Sequence, residues 1–334
     1  LIFLQMVYSN LAWPNCTAVV NVRYYARNDQ RVYEFHQVYR SSKMVRRKED
    51  VLSVKIDETS LECVDKGQEQ DEQEHPRFIF SHKSQSFRLL LELTPMHSPI
   101  QVGQGETMYG KKGSDGYLLF QFVPCVTIKG ELTDLLSDQR IPITGRGIIV
   151  HQFQGCRPNI ASSRFDVTYF SQLSNSSGQR DGDQRVNQDC DLFMVQFKTP
   201  KGYGGYTINV GFMTEKGELT ALSTGQALME GKVIDDLQSG YGLPEQIAYT
   251  WTGTNRLNKP FKVTGQFRPN KPIAAISVLD NMPFFVRKAI EFLVAKPFIY
   301  KYVDEAEFEV SVEGEPKRTL KGSLYHEISF VNKE

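Results

Sequence analysis

The chain has 334 residues, with 39 Lys plus Arg against 39 Asp plus Glu and 40% hydrophobic residues. That length suits about two domains, since single domains cluster near ~100–200 residues, and the balanced charge excludes a global field that would draw the chain to nucleic acid or to an anionic membrane. Its cysteines, Cys16, Cys63, Cys125, Cys156 and Cys190, are odd in number, scattered and never at zinc-site spacing, which reads as reduced thiols in a cytosolic protein rather than a disulfide framework or a metal centre.

The apolar start, Leu1 to Met6, is too short for a membrane helix and carries no cleavage-site pattern, so it reads as a strand. Because the chain opens in mid-strand, a natural N-terminal segment is expected before it. The sequons at Asn15-Cys-Thr17 and Asn175-Ser-Ser177 are three-residue patterns that recur by chance, and nothing else points to secretion. Thr17 to Tyr25 alternates, with Ala18, Val20, Val22 and Tyr24 on one face, as a strand with one wet face does. Val32 to Val38 and Leu52 to Val64 are weaker strands. Between them the basic run Lys43 to Lys48 reads as a solvated loop or strand edge.

Residues 67 to 75 are acidic and polar, a loop. Phe87, Leu89, Leu91 and Leu93 then alternate with Ser86, Arg88 and Glu92 as a strong strand. Gly103, Gly105, Gly110, Gly113 and Gly116 punctuate what reads as a long loop before the strand Tyr117 to Phe122. No Lys-Ser/Thr follows them, so they are turn formers and not a phosphate cradle.

The stretch Gly147 to Phe170 reads as strand, tight connection, strand. Ile148, Val150 and Phe153 precede the break at Gly155, Pro158 and Asn159, after which Phe165, Val167 and Tyr169 alternate with Arg164, Asp166 and Thr168. This predicts a half-buried antiparallel pair that opens a second domain, with Phe165, Val167 and Tyr169 on its apolar face. The boundary is set near residue 140, giving domains 1–140 and 141–334. Further antiparallel strands follow at 193–197, 206–212, 219–222, 247–251, 261–267, 274–279, 298–302, 307–313 and 324–331. One helix is expected at 281–295, where Asn281 caps, Pro283 sits in the first turn and Val286, Ile290 and Leu293 recur at helical spacing. A weak echo at an offset of about 145 residues, Pro14-Asn15 leading to Tyr24-Tyr25 and Pro158-Asn159 leading to Tyr169-Phe170, supports two similar halves.

No catalytic constellation appears. The histidines, His36, His75, His82, His97, His151 and His326, are dispersed without a pair at metal-ligand spacing, and neither a nucleophile elbow nor a zincin helix occurs. Asp235-Asp236 lies in an apparent loop and reads as solvated. What stands out is aromatic content on alternating faces, which fits either a filled core or a barrel that holds one small hydrophobic ligand.

Several stretches resemble the fungal survival factor family: His151 to Pro158, Phe197-Lys-Thr-Pro-Lys-Gly-Tyr203, Thr214 to Leu222 and Lys296-Pro-Phe-Ile-Tyr-Lys-Tyr302. In the first half, Tyr8-Ser9-Asn10-Leu11, the strand to Tyr25, Tyr109-Gly110 and the segments Phe122-Val-Pro124 and Lys129-Gly130 are similar to it as well. The resemblance implies an all-β fold of two antiparallel lipocalin-like barrels in tandem with one helix near the C-terminus. It also implies a non-enzymatic, cofactor-free and metal-free protein that shields ceramide or a similar two-tailed lipid and supports sphingolipid balance and survival under oxidative stress. The expected location is cytoplasmic, peripheral on Golgi and endoplasmic reticulum membranes through the missing N-terminal segment. Two departures from the family pattern are Val123 with Cys125 around Pro124, and Phe165 in place of a tryptophan.

A two-tailed lipid needs a largely apolar pocket of roughly 300–1,000 Å³ with few polar groups. Tyr8, Tyr24, Tyr109, Tyr169 and Trp251 can supply both characters, His151 or Arg157 can meet a hydroxyl or amide near the mouth, and Trp13 and Phe165 complete the candidate set. Two other readings remain open: an enzyme on isoprenoid-like substrates, as in the carotenoid hydratases that paired lipocalin-like barrels also resemble, and a filled-core scaffold acting through the 281–295 helix or the Lys43 to Lys48 patch.

Overall fold

The computed structural model describes residues 2–9, 17–25, 32–47, 50–64, 76–172, 190–223, 228–279 and 297–332. The described strands are antiparallel throughout. In chain order they are β1 (Ile2–Ser9), β2 (Thr17–Tyr25), β3 (Val32–Arg40), β4 (Met44–Arg47), β5 (Asp50–Ile56), β6 (Thr59–Val64), β7 (Arg77–Lys83), β8 (Phe87–Pro95), β9 (Ile100–Tyr109), β10 (Gly116–Asp134) and β11 (Arg140–Gln154). A single turn of helix, α1 (Pro158–Ala161), precedes β12 (Arg164–Gln172), β13 (Cys190–Lys198), β14 (Thr207–Glu215), β15 (Glu218–Ser223), β16 (Leu228–Glu230), β17 (Val233–Asp235) and β18 (Gly242–Pro244). The last strands are β19 (Ile247–Asn255), β20 (Pro260–Phe267), β21 (Ala274–Ser277), β22 (Phe298–Val312) and β23 (Arg318–Phe330). The helix expected at 281–295 lies outside the described residues.

Two compact units form, one of residues 1–98 with 126–148 and the other of 99–125 with 149–334. This grouping differs from a single boundary near residue 140, because β10 and β11 make one long hairpin whose turn end belongs to the first unit and whose open end, with β9, belongs to the second.

In the first unit β1, β2 and β3 form a three-stranded sheet, while β4 to β8 run as a meander that continues to β10 and β11. Period-two patterning puts Ala18, Val20 and Val22 of β2, Phe78 and Phe80 of β7 and Leu89, Leu91 and Leu93 of β8 in the core. His82 falls in the same inward register as Phe78 and Phe80 and is buried. Within the basic run, Met44–Arg47 form the edge strand β4, at the end of that meander.

The second unit contains a closed barrel. Strands β15, β14, β13, β12, β23, β22, β20 and β19 pair in that order, and β19 pairs back to β15 through Ala221 with Asn255, Leu222 with Thr254 and Ser223 with Gly253. Eight strands closed this way leave no free edge and an interior just wide enough for side chains to fill. Tyr249 stacks on Trp251 at 5.5 Å, Phe308 stands edge-on to both at 5.6 and 5.4 Å, and Phe170 meets Phe308 at 4.9 Å. Gly211 is the point on the wall against which Trp251 lies. A Cβ there would stand 2.8 Å from both Trp251 Cδ1 and the Phe193 carbonyl oxygen. Gly211→Ala is therefore expected to destabilise the barrel by ~1–3 kcal/mol through overpacking, measured as a lower urea midpoint; an unchanged midpoint would contradict this packing.

Three expectations change. First, Gly147 to Phe170 is not a paired hairpin: β11 lies beside β10, whereas β12 pairs with β13 and β23. Alternation marks strands but does not choose their partners. Second, the glycine-rich stretch holds a strand, β9, that carries Gly103 and Gly105 and pairs with β10. Third, the segments 298–302 and 307–313 are one continuous strand, β22.

Candidate functional site

The predicted residues fall in separate places. Tyr8 sits in β1 opposite Ala18, and Trp13 lies outside the described residues. Tyr24, in the first unit, is half-buried with its ring 6.1 Å from Tyr33; burial first, and Tyr33 second, raise its phenol pKa. Tyr109 is buried at the end of β9, donates to the Ala161 carbonyl at 2.9 Å and meets Tyr203 edge-on at 5.5 Å. Burial, with Cys156 and Tyr203 adding to it, pushes its phenol up to about 12. His151 is exposed on β11 with Nδ1 3.3 Å from Gln121 Oε1, and Arg157 is exposed just before α1.

Phe165 and Tyr169 lie on the outer face of the barrel wall, the reverse of the inward Asp166, Thr168 and Phe170. Phe165 is 6.0 Å from Phe120 and 5.7 Å from Phe197, and this file of rings continues through Phe122, Phe193 and Phe212 at 4.9 and 5.0 Å. Phe165 thus fills an aromatic layer between β10 and the outside of β12 to β14, and does not face the barrel interior. Among the described side chains of the predicted set only Trp251 does; it is buried and donates from Nε1 to the Phe193 carbonyl at 3.3 Å.

The polar centre of the barrel consists of residues absent from the predicted set. His326, 0% exposed on β23, lies directly opposite Thr168 on β12. Its Nδ1 is 3.0 Å from Thr168 Oγ1 and 3.2 Å from the Tyr249 hydroxyl. Its Nε2 has no hydrogen-bond partner and stands 3.8 Å from Asp166 Oδ1, which accepts from Arg164 Nη2 at 2.7 Å. Burial first, then Arg164, pushes His326 down to about 3, so the imidazole is neutral. The signal for this centre was a histidine in the apolar register Leu320, Leu324, Ile328, Phe330, where a period-two strand places core residues. The first unit repeats the rung: His82 lies opposite Thr59, with Nδ1 2.8 Å from its hydroxyl, and its Nε2 likewise has no hydrogen-bond partner. Phe35 and Phe87 flank that imidazole at 4.5 and 5.2 Å, and burial pushes it down to about 4.

These shifts give a pH dependence of known sign. Unfolded histidine takes its proton near pH ~6.5, whereas the folded protein refuses it until about 4 at His82 and about 3 at His326. The unfolded state therefore binds more protons in that window, so this stability is full above the unfolded value and is lost as pH falls. Denaturant midpoints should drop on acidification, and the drop should be shallower in a His82→Leu/His326→Leu double variant. Parallel curves for the two proteins would refute the assignment.

A strap covers one end of the barrel. The β17–β18 hairpin carries Asp236, whose Oδ2 accepts from the Tyr300 hydroxyl at 2.6 Å and from the Ser239 backbone N–H at 2.7 Å. Tyr241 of the same strap stacks on Phe330 at 4.3 Å. Burial pushes the Asp236 carboxyl up, but the bonds from Tyr300 and Ser239 outweigh it and hold the pKa below the ordinary value. Asp235-Asp236 is thus not a freely solvated pair: Asp236 latches the strap to the wall. Among the described residues no cluster of three or more His, Cys, Asp or Glu is placed to hold a metal ion.

The arrangement, a closed and largely apolar barrel with a buried polar centre at His326, Thr168, Tyr249 and Asp166, suits binding of a mostly hydrocarbon molecule that carries a small polar head. Comparison with known proteins agrees on the fold. A Nitrosomonas europaea protein described as an AttH superposes with TM-score 0.53 over 98% of this chain and 85% of its own, at 13% identity. Kievitone hydratase of Nectria haematococca superposes with TM-score 0.53 over 95% and 85%, at 9% identity. In sequence, the ceramide-binding protein svf1 of Emericella nidulans is 24% identical over 68% of this chain and 57% of its own length, so the match spans little more than half of that relative. The ceramide-binding proteins of Neurospora crassa and Schizosaccharomyces pombe are each 21% identical over 99% of this chain, and the matches cover 82% and 81% of those proteins. The sequence model of the Svf1 family matches residues 1–332, nearly the whole chain, and the protein belongs to that family.

Proposed function

We propose that this chain binds ceramide, shields it in a barrel interior and carries it between membranes without chemical change. The observation that carries this reading is the family match across residues 1–332, together with relatives in several fungi that are named ceramide-binding proteins. The closed barrel supports it. Its interior is lined mainly by apolar side chains, with buried polar groups at His326, Thr168 and Asp166 and at the Tyr300–Asp236 latch. The repeated Thr–His rung supports a tandem of two lipocalin-like barrels, with the first unit as the second example of the motif. The same reading has the protein act peripherally at endoplasmic reticulum and Golgi membranes and links it to sphingolipid balance and survival under oxidative stress.

Lipid mass spectrometry on the intact protein purified from a eukaryotic host, paired with titration by a fluorescent short-chain ceramide, tests the proposal. Ceramide should be enriched over phospholipid and the titration should saturate near one lipid per chain. A protein that carries no ceramide and ignores the probe would overturn it.

A further inference from the structure

We propose that the His326 imidazole and the Asp166 carboxylate, inside the closed barrel, form a donor–acceptor pair that grips the polar head of the bound lipid, an amide flanked by hydroxyls. The inference rests on the proposed lipid-binding function and names its polar subsite.

The first argument is the unsatisfied atom. His326 is wholly buried, and its Nε2 has no hydrogen-bond partner, although buried polar atoms in folded proteins are almost always bonded. Two hydroxyls, of Thr168 and Tyr249, converge on Nδ1. In the tautomer in which one of these hydroxyls donates to Nδ1, the imidazole proton lies on Nε2 and the unpartnered atom is an N–H donor. Burial keeps the ring neutral, which suits a neutral acceptor better than an anion.

The second argument is complementarity. Asp166 Oδ1 stands 3.8 Å from that Nε2 and is held in place by Arg164. An ionised carboxylate has about four lone-pair directions, so a ligand N–H or O–H can be accepted beside the bond from Arg164. A secondary amide presents a carbonyl acceptor and an N–H donor, and a neighbouring hydroxyl presents both. An ester lipid without that N–H or hydroxyl would satisfy His326 and leave Asp166 unmatched.

The third argument is position. His326 lies four residues from Phe330 along β23, roughly 13 Å at strand rise, and Phe330 is the ring that the strap residue Tyr241 covers. Phe267, Tyr249 and Tyr302 surround His326 with ring centroids 5.9 to 6.4 Å away. A lipid whose head met His326 would displace those rings on entering, its acyl chains running toward Phe330 and the Tyr300–Asp236 latch. His82 supplies a built-in control, since its rung has the Thr59 hydroxyl and two phenyl rings about it.

The test uses the full chain with nitrogen-15-labelled histidine, titrated with short-chain ceramide in detergent micelles and followed by imidazole nitrogen NMR alongside fluorescence binding. Ceramide should move the His326 Nε2 resonance and leave that of His82 in place. His326→Leu should weaken ceramide about tenfold or more, while His82→Leu stays within about twofold. Ceramide binding by the wild-type protein without a shift at His326, or a His326→Leu variant of full affinity, or an equal loss in His82→Leu, would each overturn the proposal. Should His326→Leu fail to fold, the wild-type resonances decide alone. If the wild-type protein binds no ceramide, the underlying function fails first, and the lipid mass spectrometry shows that separately.

Discussion

Trp251→Ala should cost the second unit ~3–5 kcal/mol, among the largest losses available to a single substitution in this protein. The indole is 2% exposed at the centre of a closed barrel. Its removal strips the stack on Tyr249 and the edge contact with Phe308, and it ends the hydrogen bond to the Phe193 carbonyl. The cavity cannot collapse easily, because eight mutually hydrogen-bonded strands fix the wall. Hydrogen exchange should show the loss in the amides of β19, β20 and β22, while those of β7 and β8 in the first unit keep their protection. Trp251→Phe retains a ring and should lose much less. If Trp251→Ala left the exchange of β19 unchanged, the barrel interior would not be packed as described.

Such a prediction follows from burial, and burial was only half legible in the sequence. The strands were: β12, β13, β14 and β23 show their period-two alternation, and aromatic and β-branched residues fill them. Their faces were harder to assign. At β12 the run Phe165, Val167, Tyr169 marks an apolar face and Asp166, Thr168 a wet one, yet Asp166 and Thr168 point into the barrel. Both faces of that strand are covered, the outer by Phe120 and Phe197 and the inner by the barrel contents, so alternation cannot name the inside. The polar residues are tolerated inside because Arg164, two residues along the same strand, meets Asp166, and His326 meets Thr168; His326 and the Tyr249 hydroxyl that bonds it come from strands far away in sequence.

The candidate site was less legible than the fold for a related reason. Aromatic residues suit a lipid, but rings serve a filled core equally well, and Phe165 fills one. A lone histidine within an apolar register has no spacing signature, so only the register of β23 marks His326. Strand β9 was hidden by Gly103 and Gly105, which are read as turn formers but are accepted in strands at weak or closely approached positions.

Glu327→Ala is the second substitution expected to be severe, again ~3–5 kcal/mol. Lys301 and Glu327 are a directly opposed pair on β22 and β23, on the outer face of the wall, with Nζ and Oε2 3.3 Å apart. Lys301 is 3% exposed and Glu327 16%, and β21 pairs beside this part of β22, Ala274 opposite Lys301. The carboxylate is pre-organised: the Tyr325 hydroxyl donates to Oε2 at 2.6 Å and Ser329 Oγ to Oε1 at 3.0 Å. Truncating Glu327 takes the carboxylate away from an ammonium that water cannot reach well, and leaves those hydroxyls without their acceptor. Replacing both charges with apolar groups removes the problem along with the attraction, so Lys301→Met/Glu327→Leu should lie within about 1–2 kcal/mol of the wild type. The comparison separates a net contribution of the ion pair from the penalty of breaking it. Denaturant unfolding of the two single variants and the double variant supplies the cycle. A double variant as unstable as Glu327→Ala would mean that the charges themselves, rather than their pairing, hold β22 against β23.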